Sequence, residues 1–283
     1  MELRKIEEKS FRVLMVGSTL AILSTLVIIL GTVTARGISA MNLAMITQTP
    51  KGGFYLGKEG GVLNAILGSL YLAGGATVLS LGISLLVVLY LNVYADKHSR
   101  LASATRFSFD VLWGVPSIVY GAFGFTLMLM LGLRASLLGG IIAVAFLVLP
   151  MMSRAMDEVV RMIPQELYDA SYALGATRLE TAFKVVVRQA LPGIMTAILI
   201  SFGRGIGDAA SVIFTAGFSD SIPHSLFRPA ATLPLAIFFQ LGTPIPQVRD
   251  RAYASALILT ILILIISVAS RLLTKRFTKH VLR

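Results

Sequence analysis

Pro164-Gln165-Glu166-Leu167-Tyr168-Asp169-Ala170-Ser171-Tyr172-Ala173-Leu174-Gly175-Ala176 is a polar, helix-forming stretch set between two long apolar runs. Pro164 suits the first helical position, because the N–H it lacks has no partner there. Glu166 and Asp169 belong near the positive N-terminal end of such a helix. Leu167, Ala170, Ser171 and Leu174 follow i, i+3, i+4, i+7 spacing and predict one small-residue face, which Gly175 ends. A second stripe begins at Leu179, Ala182, Phe183 and Val186. Two short amphipathic helices bent at a glycine make a knob. A knob fits a groove on another protein; it equally fits an amphipathic connector lying on the inner leaflet, and periodicity alone allows both.

The flanking runs decide the solvent. The chain of 283 residues is 56% hydrophobic and 14% charged, with a mean hydropathy of +0.82, too apolar for an ordinary soluble domain. A helix needs about 20 apolar residues to cross roughly 30 Å of hydrocarbon. Apolar runs of that length, one of them interrupted by Arg204 and Asp208, predict an all-α, polytopic membrane protein with six transmembrane helices, at about 13–35, 64–92, 111–133, 135–153, 189–218 and 252–272. Residues 1–283 read as a single membrane domain, without internal repeat or linker. The basic start followed by an apolar run is too long for a signal peptide and lacks an A-x-A site, so it is an uncleaved first span. Residues 230–241, an apolar piece bracketed by prolines, are too short to cross and predict a re-entrant or interfacial helix.

Lys and Arg set the orientation. With the N-terminus inside, 17 of the 25 basic residues fall in cytoplasmic segments and seven outside, which predicts both termini in the cytoplasm. The formal charge of +11 then faces anionic headgroups or a cytoplasmic partner, not nucleic acid. The absence of cysteine excludes thiol catalysis, cysteine-ligated metal and disulfides. His98, His224 and His280 are scattered and predict no metal site. Gly52-Gly53-Phe54-Tyr55-Leu56-Gly57-Lys58-Glu59 mimics a phosphate-binding loop but has Glu where Ser or Thr must hold Mg²⁺, so no nucleotide site is expected.

The charges well inside a predicted span are Arg204 and Asp208. Arg204 lies 12 residues after Pro192, about 18 Å along a helix and near or somewhat beyond the bilayer midplane. A charge there costs at least about 2.5–3.5 kcal/mol, so such residues face a bundle interior or water and mark a pathway. Asp208, at i+4, predicts a pairing partner, and Gly203, Gly205 and Gly207 leave room for close backbone approach. An Arg fork suits the oxygens of a tetrahedral anion; a purely structural ion pair is the other reading. Pro116 kinks the third span, and Ser117 and Tyr120 offer neutral hydroxyls to a passing anion or to the preceding turn. An integral membrane enzyme would need clustered acids, histidines or nucleophiles at one depth. A simple anion channel would have no use for a docking knob.

Several motifs, in order along the chain, resemble one family. Asp169-Ala170-Ser171, Gly175, Val185 and Val187 follow the E-A-A…G…I-x-L-P pattern of binding-protein-dependent ABC importer permeases, with Arg188 where proline is usual. Trp113-Gly114-Val115-Pro116-Ser117-Ile118-Val119-Tyr120-Gly121 is similar to the signature of phosphate importer permeases of the PstA type. So are Leu147-Val148-Leu149-Pro150, Tyr172-Ala173-Leu174-Gly175-Ala176-Thr177 and Phe202-Gly203-Arg204-Gly205-Ile206-Gly207-Asp208-Ala209. The entry to the second span, Gly60 onward, is similar too. The resemblance covers about residues 60–275 and implies the type I ABC importer permease fold with a cytoplasmic coupling helix. It implies no catalytic residue or metal, a substrate pathway at Arg204, Asp208, Ser117 and Tyr120, and an ATPase-docking segment at Glu166, Asp169, Ala170, Ser171, Leu174 and Gly175. The implied partners are a homologous second permease, a cytoplasmic ATPase dimer that holds Mg-ATP in place of any cofactor here, and an external phosphate-binding protein, all at the plasma membrane. The implied function is ATP-driven phosphate import, with sulfate, molybdate or tungstate as the alternative cargo.

Overall fold

A computed structural model of the chain describes residues 2–51, 59–96 and 99–277. The glycine-rich stretch 52–58, together with His98, His280, Lys97, Lys279 and Arg283, lies outside the described residues.

The chain opens with α1 (Glu2–Ala40), 39 residues long and thus about 58 Å, nearly twice the thickness of the hydrocarbon layer. Each described side chain from Arg4 to Thr32 is exposed. α1 leans along the helix that carries Tyr253 and approaches it most closely in its last turns: a Cβ on Gly37 would meet the Tyr253 carbonyl at 2.8 Å, and the Arg36 guanidinium lies over the Tyr253 ring, 5.1 Å from its centroid. A short helix, α2 (Leu43–Thr47), and a two-residue antiparallel pair, β1 (Pro50–Lys51) and β2 (Glu59–Gly60), lead into α3 (Leu63–Leu89), which widens into π geometry over Tyr90–Tyr94.

The third predicted span departs most from its expected form. Instead of one helix at 111–133 there are two, α4 (Arg100–Trp113) and α5 (Ser117–Met130), bent by 105°. Pro116 causes the break. It has no N–H to continue the helix, and with φ −58° and ψ 140° it is extended and stands just before the first residue of α5. The Tyr120 hydroxyl donates to the Leu112 carbonyl at 2.8 Å and braces the corner. α5 alone has 14 residues, about 21 Å, so among the described residues the sixth crossing is this bent pair, beside five continuous helices.

α6 (Leu137–Arg161) runs eight residues past the expected end at 153, carrying Arg154, Asp157 and Glu158 within the helix. Then come α7 (Gln165–Ala173), α8 (Arg178–Glu180), a π turn at Thr181–Val186, and α9 (Val187–Ile206). The span expected to reach 218 stops at Ile206, because Gly207 weakens the helix and the Asp208 side chain takes over hydrogen bonding of the next turn. α10 (Leu233–Leu241) is the expected short apolar helix. Its first N–H donates to Ser69 Oγ at 2.8 Å, so its start is capped from α3. α11 (Pro246–Phe277) closes the bundle.

α3 and α6 form the central pair, and α9 packs against both of them, chiefly α6. Apolar packing fills this interface at both ends, around Leu72, Val144 and Val148 at one and around Val88, Met152, Met156 and Val160 at the other. Between these clusters runs a polar ladder. Ser80 Oγ donates to the Ala145 carbonyl at 3.0 Å, Ser84 Oγ to the Leu149 carbonyl at 3.4 Å, and Ser153 Oγ to Ser84 Oγ at 2.8 Å. The ladder ends at Asp157, whose carboxylate is fully buried. Arg106 Nε donates to its Oδ2 at 2.8 Å, while Arg106 Nη2 at 3.2 Å and Asn92 Nδ2 at 2.7 Å donate to its Oδ1. Arg106 stands between buried Ala102 and Phe109 on the inner face of α4, which explains how an arginine is carried into the bundle.

Candidate functional site

Two regions carry the residues singled out by sequence: the outward face of α9 and the knob formed by α7 and α8.

α9 separates its faces cleanly. Ala190, Ile194, Ala197, Ser201 and Gly205 are buried, whereas Thr196, Ile200, Arg204 and Gly207 are exposed on the opposite side. Gly203 adds no bulk there: a Cβ would meet nothing within 4 Å. Gly205 does the opposite job, since its Cβ would lie 3.1 Å from Val144 of α6. Arg204 therefore stands on a low, open strip of the molecule, with half of its side chain accessible.

Asp208 is not one turn further along the same helix, as its spacing implied. It follows the end of α9, is almost fully buried, and accepts from Ser211 N at 2.8 Å and Ser211 Oγ at 2.5 Å through Oδ2. Its other oxygen is 4.0 Å from Arg204 Nη2, at the outer limit of an ion pair. Asp208 thus fixes the turn after α9 and holds Arg204 only loosely.

The turn after Asp208 packs on α5. A Cβ on Gly121 would lie 2.9 Å from the carbonyls of Ala210 and Ser211, so the two backbones touch. Ser117 is the first residue of α5, half-buried and one turn before Gly121. Tyr120 is buried, and its hydroxyl is committed to the Leu112 carbonyl; its ring lines an apolar cleft of about 350 Å³ with Val119, Phe123 and Pro150. Of the four pathway candidates, Arg204 alone presents an uncommitted ionic group.

The knob is built as the spacing implied, with its faces shifted. Pro164 precedes α7 and Glu166 lies in its first turn. Gly175 ends it with φ +82°, a conformation natural to glycine. The inner face is Tyr168 and Ser171, both buried, not the stripe of Leu167, Ala170, Ser171 and Leu174. Ser171 Oγ is 2.8 Å from Thr181 Oγ1, a buried bond tying α7 to the π turn. Burial pushes the Tyr168 phenol above its usual pKa, with Tyr172 adding to the shift. The outer face holds Glu166, Asp169, Ala170 and Leu174, the last 89% exposed. Across the bend, Thr177 and Glu180 form a reciprocal capping box, and Glu180 also receives Lys184 Nζ at 2.9 Å. The result is a firmly braced knob with an apolar tip.

Residues 93–283 match the family model described as the binding-protein-dependent transport system inner membrane component. The phosphate transport system permease protein PstA 1 of Mycobacterium tuberculosis is 38% identical over 216 residues, 76% of this chain and 70% of that protein. PstA of Haemophilus influenzae is 31% identical over 245 residues, 86% of this chain and 85% of its own length. The chain belongs to this permease family, in its PstA branch.

Solved structures agree on the fold. An alginate ABC transporter bound to an alginate-loaded periplasmic protein superposes with a TM-score of 0.66 at 14% identity, covering 96% of the permease and 97% of its own chain. The inward-facing MetNI methionine ABC transporter gives 0.63 at 20% identity, covering 77% and 96%. These place the permease among type I importer permeases by architecture.

Sequence reasoning missed the buried cluster of Asp157, Arg106 and Asn92 in the permease. Arg154 ends the uncharged run, so the predicted span stops at 153, short of Asp157, and the partner Arg106 is 51 positions away. The available signal was Asn92, a lone amide in the last turns of an otherwise apolar run.

Proposed function

We infer that the chain is one half of the membrane channel of an ATP-driven importer that brings inorganic phosphate into the cytoplasm. Phosphate as cargo comes from the relatives, which are named phosphate transport system permeases. The observation that carries the chemistry is Arg204: a half-exposed guanidinium on the open face of α9, flanked by Gly203 and Gly207 and only loosely held by Asp208. Guanidinium donors match phosphate oxygens in a planar fork. A weakly restrained one binds and releases in turn, as a conducting site requires. Ser117 lies at the rim of the same passage, and Tyr120 shapes it from behind by bracing the α4–α5 corner.

The open face of α9 meets a homologous second permease, so that the pathway runs between the two. The α7 knob points into the cytoplasm, with both termini on that side, and docks in an ATPase of an ABC dimer that binds Mg-ATP. The outer segment with α10 receives an external phosphate-binding protein. Neither cofactor nor catalysis belongs to this chain. Closure of the ATPases on ATP drives α7, and the spans rock between inward- and outward-open states.

The test is uptake of labelled phosphate into vesicles holding the full assembly, with unlabelled phosphate, sulfate, molybdate and tungstate as competitors. Uptake should require ATP, the binding protein and the ATPase, and phosphate should compete best. Stronger competition by another oxyanion would reassign the cargo. Uptake by this chain alone would overturn the coupled mechanism.

A further inference from the structure

We propose that Asp157, Arg106 and Asn92 form a clamp that fixes the register of α3 against α6 and so carries the movement of α7 into the spans. All three act as positioning residues, and the proposal rests on the coupling role of α7 given above.

α7 starts only four residues after α6 ends, so a displacement of α7 pulls directly on α6. α6 can then either carry α3 with it or slide past it. The helices are parallel in register: Ser80 meets Ala145, Ser84 meets Leu149 and Asn92 meets Asp157, each pair 65 positions apart. A slip of one turn, about 5.4 Å, leaves Ser80 and Ser84 an alternative acceptor, because each turn of α6 offers another carbonyl. Asp157 has no such alternative. It is the only aspartate in α6, and Asn92 is the only asparagine near that end of α3. A slipped Asp157 would be a buried carboxylate without its countercharge, which is strongly unfavourable. The ion cluster therefore sets the register that the ladder only follows.

Three further features fit this role. The π turn at Tyr90–Tyr94 contains Asn92, and such local widening re-aims a side chain relative to a regular helix. Arg106 Nη2 also donates to Asn92 Oδ1 at 3.3 Å and reaches the Leu91 carbonyl at 3.5 Å, so α4 closes the clamp on both helices. Between the clamp and α7 lies a polar cavity of about 420 Å³, lined by Asn92, Arg106, Arg161, Gln165 and Tyr168, which gives α7 room to tilt while the clamp stays shut.

The chain has no cysteine, so a pair introduced as Ser84→Cys and Ser153→Cys, whose hydroxyls are 2.8 Å apart, reports register by oxidative cross-linking. Adding Asp157→Asn should lower the cross-linking rate about fivefold or more. In the full assembly without the cysteines, Asp157→Asn should raise the ATP hydrolysed per phosphate imported about threefold or more, as strokes of the ATPase are lost to slippage. Merely unstable protein would lower both activities together and leave that ratio alone. Asp157→Glu should restore most of both readings. Where Asp157→Asn fails to reach the membrane, Arg106→Lys, which keeps the charge but loses the fork, is read in the same two ways. Unchanged cross-linking or an unchanged ratio overturns the clamp. A wild-type assembly that imports no phosphate would instead overturn the importer reading, while the cross-linking arm still reports on the register.

Discussion

Arg204 and Asp208 look equivalent in sequence, four positions apart and both charged, yet their surroundings divide the work. Asp208 spends one oxygen on Ser211 and is buried, while Arg204 is half exposed at the limit of pairing distance. Replacing Arg204 by Ala removes a charge-assisted donor worth about 1.5–3 kcal/mol, which predicts a ten- to hundred-fold fall in phosphate uptake at limiting phosphate, with the assembly still isolated intact. Arg204→Lys should recover only part of it, since an ammonium is a point charge without the fork. Unimpaired uptake by Arg204→Ala would remove Arg204 from the pathway. Ser171 makes the opposite case. Ser171→Val leaves the buried Thr181 hydroxyl without its partner, at about 1–3 kcal/mol. Hydrogen exchange across residues 165–186 should accelerate accordingly, and unchanged exchange would mean that the bond contributes little. The sequence revealed Arg204 because one basic residue interrupts an apolar run. It hid the inward turn of Ser171, because a nine-residue helix with small side chains on several faces does not declare which side is covered.

At the scale of elements, local chemistry was legible and tertiary choices were not. Pro164 and Gly175 mark the bounds of α7 because each acts on its own backbone, through a missing N–H in one case and φ +82° in the other. Pro116 announced a kink but not its size; a 105° corner needs the Tyr120 bond across the break and the packing of Gly121 on Ala210, far away in sequence. The true ends of α6 and α9 escaped counts of uncharged residues. Charge does not end a helix when an i, i+4 pair such as Arg154 and Glu158 continues it, whereas an uncharged Gly207 does. Gly175 gives the sharpest prediction here. Its Cβ position is open, so Gly175→Val meets strain rather than collision, about 1–2 kcal/mol from the left-handed backbone. Gly175→Val should lose co-purification of the ATPase, and Gly175→Asn, which tolerates that conformation better, should keep more of it. Equal retention by both would show that the bend is not what the partner reads.

For the whole molecule, the crossings fix which ends share a side. With single cysteines placed in this cysteine-free chain, an impermeant thiol reagent added outside intact cells should label Lys51→Cys and Arg134→Cys, but Leu174→Cys only after the membrane is opened. External labelling of Leu174→Cys would invert the topology and detach α7 from any cytoplasmic motor. α1 behaves differently from the other spans at this scale. No side chain described between Arg4 and Thr32 is buried, and α1 lies along the surface of α11, most tightly at Gly37. This makes the leading helix a replaceable module: a foreign membrane anchor grafted ahead of residue 33 would leave every apolar cluster of the bundle complete, so natural variation and tag insertion alike should gather there.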